Sequence, residues 1–225
     1  MEHGDMKQIF DMEWKEMVLR GGCNLGIKLK PHQLDLMAMH AEELVKWNKK
    51  FNITSILDPK EMATKHFIDS IAISPHIPEN VSVLDIGSGG GFPGFPLRVI
   101  RPDLRVVMAD SSRKKVSFLN FLIRKSQLES ISAVHIRAED LSKDKGFAGK
   151  FDVVTSRAFT ALDKFVALAL PFLSKDGIIL AMKGKTGEEE AMLLSKDNFT
   201  TVTTSYPLPL ENHCRTIINI RPIAL

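Results

Sequence analysis

The spacing of apolar residues changes character near residue 80 of this 225-residue chain. Before that point apolar positions recur at helical intervals in three stretches: residues 9–19, 34–51 and 58–73. Pro31 suits the first turn of the second helix, and Asp58 with Pro59 provides a cap and a first residue for the third. The glycines of RGGCNLG (20–26) predict the end of the first helix.

From residue 81 onward, short β-rich runs alternate with helical stretches. The predicted strands are VSVLDI (81–86), RVVMAD (105–110), SAVHI (132–136), FDVVTS (151–156), GIILAMKG (177–184), FTTVTTSYPL (199–208) and CRTIINIRP (214–222). The predicted helices among them cover residues 93–101, 112–126 and 161–173. This alternation predicts an α/β fold with a doubly wound, mostly parallel sheet of seven strands. No helix separates the last two strands, so they predict an antiparallel hairpin.

This change of rhythm divides the chain into two predicted units, a helical segment over residues 1–78 and a sheet domain over residues 79–225. Apolar residues make up 44% and charged residues 25%, which are ordinary values for a globular protein. No apolar run approaches the roughly 18 residues of a membrane-spanning helix, and the charged N-terminus does not resemble a signal peptide. The two cysteines lack metal-ligand spacing. We therefore expect a cytoplasmic protein without a membrane span or a bound metal. A monomer is also expected, but this does not follow from the composition.

The formal net charge of +3 favours nucleic acid only weakly as a partner, but the basic residues are clustered. The clusters are Lys49-Lys50, Arg113-Lys114-Lys115, Arg124-Lys125, and Lys183 with Lys185. Most such clusters are solvated helix faces. A cluster beside the end of a strand is different, because it can meet the phosphates of a nucleic acid.

The stretch VLDIGSGGGFPG (83–94) directly follows the first predicted strand and has two interpretations. Gly89 to Gly94 match G-x-G-x-x-G, the dinucleotide fingerprint. Asp85 to Gly91 instead form D-x-G-x-G-x-G, an acid followed by glycines, which suits S-adenosylmethionine. Glycine is required where a nucleoside lies against the backbone, because a Cβ would collide with it. A tight turn without a ligand is the structural alternative.

Two acids help to decide between these ligands. Asp110 ends the second strand and can accept hydrogen bonds from ribose hydroxyls, which NAD and S-adenosylmethionine share. Asp85 has no place in the dinucleotide fingerprint but can accept hydrogens from the ammonium group of S-adenosylmethionine. The dinucleotide pattern also begins at Gly89, four residues after Asp85, which is late for a pyrophosphate-binding turn that directly follows a strand. The pattern therefore favours S-adenosylmethionine, with Asp85, Gly87, Gly89 and Asp110 as candidate cofactor-binding residues.

A set of short segments occurs in a characteristic order: KWNKKFNITSI (46–56), HFIDS (66–70), DIGSGGGFPGFPL (85–97), RAED (137–140), SRAF (156–159) and MKG (182–184). In this order the chain resembles the glucose-inhibited division protein B family, bacterial methyltransferases that act on guanine N7 of small-subunit ribosomal RNA. The resemblance implies a Rossmann-like class I S-adenosylmethionine-dependent methyltransferase. It also implies 16S ribosomal RNA, free or in the small-subunit particle, as the partner, with the target in the 530-loop region.

The resemblance assigns the cofactor pocket to Gly87, Phe92, Ala138 and Glu139, and it places Arg157 at the pocket's substrate side. Guanine N7 carries a lone pair and no proton, so methylation there needs no general base. Arg157 and Lys183 follow predicted strands and are the candidate catalytic residues, able to contact guanine O6 or phosphates. A structural ion pair is the alternative for Arg157, and a helix cap is the alternative for the acidic pair Glu139-Asp140.

Several other interpretations stay open at this point. The chain could be a methyltransferase for a small molecule or a protein, a nicotinamide dehydrogenase, or a catalytically idle RNA-binding module. The intact glycines and Asp110 argue against the idle module. Trp47 and Phe51, four residues apart, are expected in the core. His66 and Asp69 have the spacing of a metal pair on a helix but lack a third ligand, which favours a hydrogen-bonded structural histidine.

Overall fold

The computed structural model describes residues 10–137, 146–157, 161–194, 198–209 and 214–223. The strands are β1 (Ser82–Ile86), β2 (Arg105–Asp110), β3 (Ile131–His135), β4 (Phe151–Arg157), β5 (Leu173–Lys183), β6 (Phe199–Pro207) and β7 (Cys214–Pro222). The α-helices are α1 (Met12–Asn24), α2 (Pro31–Phe51), α3 (Pro59–Glu61), α4 (Asp69–Ile71), α5 (Gly94–Ile100), α6 (Arg113–Ser126), α7 (Leu162–Ala169) and α8 (Gly187–Met192). A π-helix (Met62–Ile68) joins α3 to α4, and 3₁₀ helices cover Ser74–His76 and Leu170–Phe172.

All seven strands belong to one sheet in the order β3-β2-β1-β4-β5-β7-β6. The first five strands run parallel, whereas β7 pairs antiparallel with both β5 and β6. This arrangement confirms the predicted mostly parallel sheet with an antiparallel final hairpin. The order of the strands reverses between β1 and β4, where Asp85 pairs with Thr155. The carboxyl ends of these two strands therefore form the crevice in which open α/β sheets bind ligands.

The sheet has an apolar layer on each face. Val83 and Leu84 are neighbours in β1 and both are fully buried, because alternate side chains point to opposite faces. Val83 belongs to the core that includes the N-terminal helices, α5 and α6, while Leu84 belongs to the core under α7. The N-terminal helices thus share one hydrophobic core with the sheet. In the described ranges, no helix has the length and apolar character that crossing a membrane would take.

The first helix differs from the prediction, because it continues through Gly21 and Gly22 as far as Asn24. A Cβ on Gly21 would lie 2.2 Å from Cδ1 of Ile68 in the π-helix. These glycines therefore permit close packing of two helices and do not end the first one. Gly26, with a φ of +73°, lies just beyond the helix in the turn toward α2.

The region between β4 and β5 also differs from the prediction. Helix α7 ends at Ala169, and β5 begins at Leu173, earlier than the expected residue 177. The register of β4 against β5 shifts near Phe151, and a Cβ on Gly177 would lie 2.9 Å from the Phe151 carbonyl oxygen. Gly177 therefore belongs within an irregular strand and does not mark its start. The short helix α8 was not predicted.

The third predicted helix is confirmed in place but contains π geometry. The Asp58 carboxylate accepts a hydrogen bond from the Glu61 backbone N–H at 2.9 Å and so caps the helix. The following turns, Met62–Ile68, are wider than an α-helix. Such insertions are frequent at functional sites. Here the π-helix carries Lys65 and His66 to the carboxyl edge of the sheet, where both line a cavity.

Candidate active site

The loop between β1 and α5 forms a cradle whose shape depends on glycine. Gly87, Gly89 and Gly91 have φ values of +76°, +58° and +94°, in the left-handed region that other residues rarely adopt. A Cβ on Gly89 would have no neighbour nearer than the Gly87 carbonyl oxygen at 3.9 Å, so it would project into open space. Backbone N–H groups of Gly87 and Ser88 bind the Ala109 carbonyl at 2.8 and 3.1 Å and hold the loop against β2.

Asp110 lies beside this cradle at the end of β2. Its Oδ2 accepts a hydrogen bond from Gly89 N–H at 2.9 Å, and its Oδ1 accepts one from Ser112 N–H at 2.8 Å. These contacts orient the Asp110 carboxylate. Because each carboxylate oxygen can accept a second hydrogen bond, Asp110 can still accept hydrogen bonds from ribose hydroxyls. The structure therefore brings three sequence-predicted residues together, Gly87, Gly89 and Asp110.

Asp85 is fully buried beneath the loop. Its Oδ2 accepts the Gly94 N–H at 3.0 Å, and its Oδ1 has no hydrogen-bond partner among the described residues. A Cβ on Gly94 would lie 2.9 Å from that Oδ2, so glycine allows α5 to start directly on the carboxylate. Burial raises the pKa of Asp85 to about 6, although hydrogen bonds and the Arg157 charge oppose the shift. A buried acceptor without a partner fits a cationic ligand group, and this contact stays a prediction.

Phe92 packs as the centre of a ring cluster. Its ring stacks on His40 and His66 with centroid distances of 4.6 and 4.4 Å, and it meets Phe67 edge-on at 5.2 Å. The Arg157 guanidinium lies over the same ring, 5.0 Å from its centroid. Phe92 is only 3% exposed, so it joins the glycine loop to the N-terminal helices. Its predicted contact with a cofactor is not tested by this packing.

Arg157, at the end of β4, connects the sheet to the π-helix. Its Nη1 donates to the Lys65 carbonyl oxygen and lies 3.8 Å from the Asp69 carboxylate, while Nη2 contacts His66 Nδ1 at 2.9 Å. Burial lowers the pKa of Arg157, and the nearby Asp69 charge opposes this. The Tyr206 hydroxyl donates to Asp69 at 2.7 Å, so the final hairpin joins the network as well.

The contacts of His66 define its protonation state. Because the guanidinium can only donate, Nδ1 accepts, and the proton of the neutral ring lies on Nε2, which reaches Thr54 Oγ1 at 3.0 Å. Burial lowers the pKa of His66 to about 2, assisted by the positive charge of Arg157. His66 and Asp69 therefore serve a structural hydrogen-bond network. No cluster of three or more potential metal ligands occurs in the part of the chain that the structure describes.

A cavity of about 580 Å³ lies beside this network and is within the size range of small-ligand sites. One wall comes from the N-terminal region and the other from the carboxyl ends of β4 and β5, with α8 and β7. The lining residues are Ile53, Thr54, Ser55, Ile56, Lys65, His66, Asp69, Arg157, Met182, Lys183, Gly184, Thr186, Glu190 and Arg215. Four cations and two carboxylates are among them, so the cavity favours an anionic ligand.

Lys183, the second candidate catalytic residue, lies in this cavity next to Glu190. Its Nζ is 2.8 Å from Glu190 Oε2, which also accepts the Leu162 N–H at 2.8 Å. Burial alone would raise the pKa of Glu190, but these hydrogen bonds and one from Thr186 lower it. The carboxylate is thus ionised and holds Lys183 at the cavity wall.

Several residues that line the cavity are not indicated by the sequence patterns, and three candidate residues have no described position. Ala138, Glu139 and Asp140 lie outside the described residues. Lys65, Asp69 and Arg215 line the cavity without having been predicted to do so. The HFIDS segment contains Asp69 and was a usable signal, because the family resemblance already included it. Arg215 has no local signal, since it belongs to a strand of the final hairpin.

The strand order, the antiparallel β7, the glycine cradle after β1 and the acid at the end of β2 together define a class I S-adenosylmethionine-dependent methyltransferase. Residues 33–217 match the family described as rRNA small subunit methyltransferase G. The chain belongs to this family, which confirms the resemblance noted from its sequence segments.

Relatives and solved structures agree with this assignment. The chain is 43% identical over 176 residues to a ribosomal RNA small subunit methyltransferase G of Geobacter sp. (strain M21), covering 78% of this chain and 80% of the relative. It is 37% identical over 203 residues to the protein of that name in Oceanobacillus iheyensis, covering 87% and 85%. A predicted O-methyltransferase from Agrobacterium tumefaciens shares the fold with a TM-score of 0.57 and 14% identity, covering 69% of this chain and 81% of the other.

A backbone-matched pair of variants tests the glycine cradle. Gly89→Ala should weaken S-adenosylmethionine binding at least tenfold, because the new Cβ would occupy the space next to the bound nucleoside. Gly26→Ala is the control, since Gly26 has a φ of +73° and no neighbour within 4 Å of its Cβ position. Both variants carry similar backbone strain, and only the first lies at the cradle. Equal affinities by calorimetry for the two variants would contradict this placement.

The stability of the protein should depend on pH through two buried histidines. Burial lowers the pKa of His66 to about 2 and that of His40 to about 3. Below the ordinary pKa of 6.5, the unfolded chain binds protons at these positions and the folded chain does not, so stability falls as the pH falls. From pH 7 to pH 5, each histidine should account for a loss of about 2 kcal/mol.

Asp85 acts in the opposite direction, because its raised pKa lets the folded chain bind a proton in this range. Denaturant titrations from pH 7 to pH 5 should still show a net decrease in the free energy of unfolding. His66→Gln, which keeps a donor for Thr54, should give a shallower decrease than the wild type. A slope that is the same in both proteins would show that His66 is not the group responsible.

Proposed function

We propose that this protein transfers a methyl group from S-adenosylmethionine to N7 of a guanine in 16S ribosomal RNA. The family and the names of the relatives support the RNA substrate. The observation that carries the proposal is the cation-lined cavity at the carboxyl edge of the sheet, beside the glycine cradle. A purine base bearing phosphates suits this cavity in size and charge.

The protonation states of the cavity residues support methylation at N7. His66 is neutral, with both ring nitrogens engaged, and Asp69 and Glu190 are each held by cationic partners. None of these groups is poised to remove a proton from a substrate. Guanine N7 has a lone pair in the ring plane and needs no such base, so the site matches this nucleophile.

The contribution of the chain to catalysis is positional. When bound, S-adenosylmethionine supplies a methyl group whose bond to sulfur breaks, leaving its electron pair on sulfur, as the bond to N7 forms. Arg157 and Lys183 would orient the guanine through O6 or its flanking phosphates, and the cavity walls would exclude water. Gly87, Gly89, Asp85 and Asp110 would hold the nucleoside and amino-acid parts of the cofactor. Phe92, Ala138 and Glu139 complete the proposed pocket.

We further propose that the enzyme is a cytoplasmic monomer and that its target lies in the 530-loop region, with free RNA or the small-subunit particle as substrate. Residues 1–78 would then form the helical segment and residues 79–225 the methyltransferase domain. The contribution of Ile53, Lys65 and His66 to the cavity supports a substrate role for the helical segment. A target guanine in folded RNA must be unstacked to reach such a cavity.

A substrate that lacks the acceptor atom tests the reaction directly. Purified enzyme with labelled S-adenosylmethionine should methylate small-subunit RNA containing guanine, and mass spectrometry should detect 7-methylguanine. The same RNA carrying 7-deazaguanine at the mapped position should receive no label, because a carbon replaces N7. Undiminished labelling of the deaza RNA would exclude N7 as the acceptor, and labelling of a protein or a small molecule instead would favour a different methyltransferase.

Variants of Arg157 separate orientation of the substrate from support of the fold. Arg157→Lys keeps the charge but loses the planar fork, so methylation per folded molecule should fall about five- to hundredfold. It should also lower the melting temperature, because the acceptors on Lys65 and His66 lose their partner. Activity and melting temperature should be measured on one preparation. Full activity per folded molecule, with only the melting temperature lowered, would assign Arg157 a purely structural role.

A further inference from the structure

Two basic clusters that lie far apart in the chain meet on one surface of the folded protein. The ring of Phe51, at the end of α2, lies under the ammonium group of Lys114 in α6, with Nζ 5.8 Å from the ring centroid. Behind this contact Trp47 packs against Phe118 and Phe121, with centroid distances of 5.6 and 5.3 Å. We define the basic-aromatic surface by five residues: Lys49, Lys50, Phe51, Arg113 and Lys114.

Within the part of the chain that the structure describes, no acid pairs with the cations of the basic-aromatic surface. Its four cations are all exposed, and none forms an ion pair with another residue in the described ranges. Glu43 on the same helix forms ion pairs elsewhere, because its Oε1 lies 2.8 Å from Lys46 Nζ and 2.7 Å from Lys125 Nζ. The surface therefore presents unpaired cations, which is the property that phosphate groups recognise.

Phe51 gives this surface a second property. It was expected in the core, yet it is 37% exposed, whereas the neighbouring Phe118 is fully buried. The difference arises because α2 ends at Phe51 and the chain turns through Asn52, with a φ of +47°, so the ring stays at the rim of the helix contact. An exposed aromatic ring among lysines is a platform on which an unpaired base can stack.

The position of the surface relates it to the active site. Ile53 and Thr54, which follow Phe51 after the turn at Asn52, line the cavity. On the other side, α6 follows Asp110, whose carboxylate holds Gly89 in the glycine cradle. The basic-aromatic surface is thus joined through short chain connections to both the cavity and the glycine cradle.

We propose that the basic-aromatic surface binds a single-stranded segment of the RNA substrate next to the methylated nucleotide. Phe51 stacks on an unpaired base, and the lysines and Arg113 contact the phosphates on either side of it. The proposal rests on the proposed function for the identity of the RNA, and it adds a recognition surface outside the catalytic cavity.

Charge removal at matched positions tests the phosphate contacts. Lys50→Gln/Lys114→Gln takes one lysine from each cluster, and Lys150→Gln/Lys175→Gln removes the same charge at the opposite, amino edge of the sheet, where both lysines are exposed. In filter binding with small-subunit RNA, the first pair should lower affinity about tenfold and make the salt dependence shallower by about 1.4 in log–log slope, since two phosphate contacts to a single strand are lost. The control pair should have the RNA affinity and salt slope of the wild type. Both double variants should bind S-adenosylmethionine with the affinity of the wild type.

The stacking contact has its own signature. Phe51→Leu keeps apolar bulk against Trp47 but removes the aromatic face, so RNA affinity should fall about tenfold with an unchanged salt slope. In steady-state assays the KM for RNA should rise while kcat is retained, because the reacting groups are untouched. Circular dichroism and the melting temperature check that the variant is folded, and the lysine variants provide the test if it is not.

The outcomes separate this proposal from the proposed function. If the wild type binds small-subunit RNA without methylating it and the lysine pair weakens that binding, the surface is supported and the function is wrong. If the wild type methylates RNA and both lysine pairs behave alike, the surface proposal is wrong and the function stands. A third outcome is that the wild type binds phosphatidylglycerol vesicles and Lys50→Gln/Lys114→Gln loses that binding while it still binds RNA. This outcome would assign the surface to a membrane and overturn the proposal.

Discussion

The contacts of the partly buried Arg157 guanidinium are the interaction on which the arrangement of this protein depends. This side chain extends from the end of β4, donates to the carbonyl of Lys65, contacts His66 and lies beside Asp69. A buried cation destabilises a protein unless its donors and charge are satisfied, so the π-helix must keep its place against the sheet. The cavity lies between these two parts, and Arg157 is one of the residues that line it.

The rings around Phe92 extend the same constraint to the glycine cradle. Phe92 belongs to the loop after β1, yet it stacks on two histidines of the N-terminal helices. Both histidines are kept neutral by burial, which lowers their pKa values far below the ordinary value. The cluster therefore serves to position the cradle relative to the cavity. This agrees with the proposed reaction, in which catalysis comes from alignment of the reactants.

Most of the fold could be predicted from the chain because its information is local. Alternating strands and helices indicated the sheet, and the glycines with Asp110 indicated the cofactor cradle. Gly21 shows where local reasoning fails, since its pattern predicts a helix end although the glycine serves contact with Ile68, far along the chain. The prediction that Phe51 lies in the core is wrong for a related reason, because helical spacing does not show where a helix ends relative to its neighbour.

The sequence by itself determined the class of fold and the family, because both depend on short segments whose residue types and order are local properties of the chain. Only the tertiary structure decided what Arg157 and His66 contact, which lysines meet Phe51 on one surface, and which segments form the cavity. These properties depend on distances between residues such as Arg157 and Asp69, or Phe51 and Lys114, that are separated by long stretches of chain. A local pattern carries no such distances, so packing of the whole core was needed to set them.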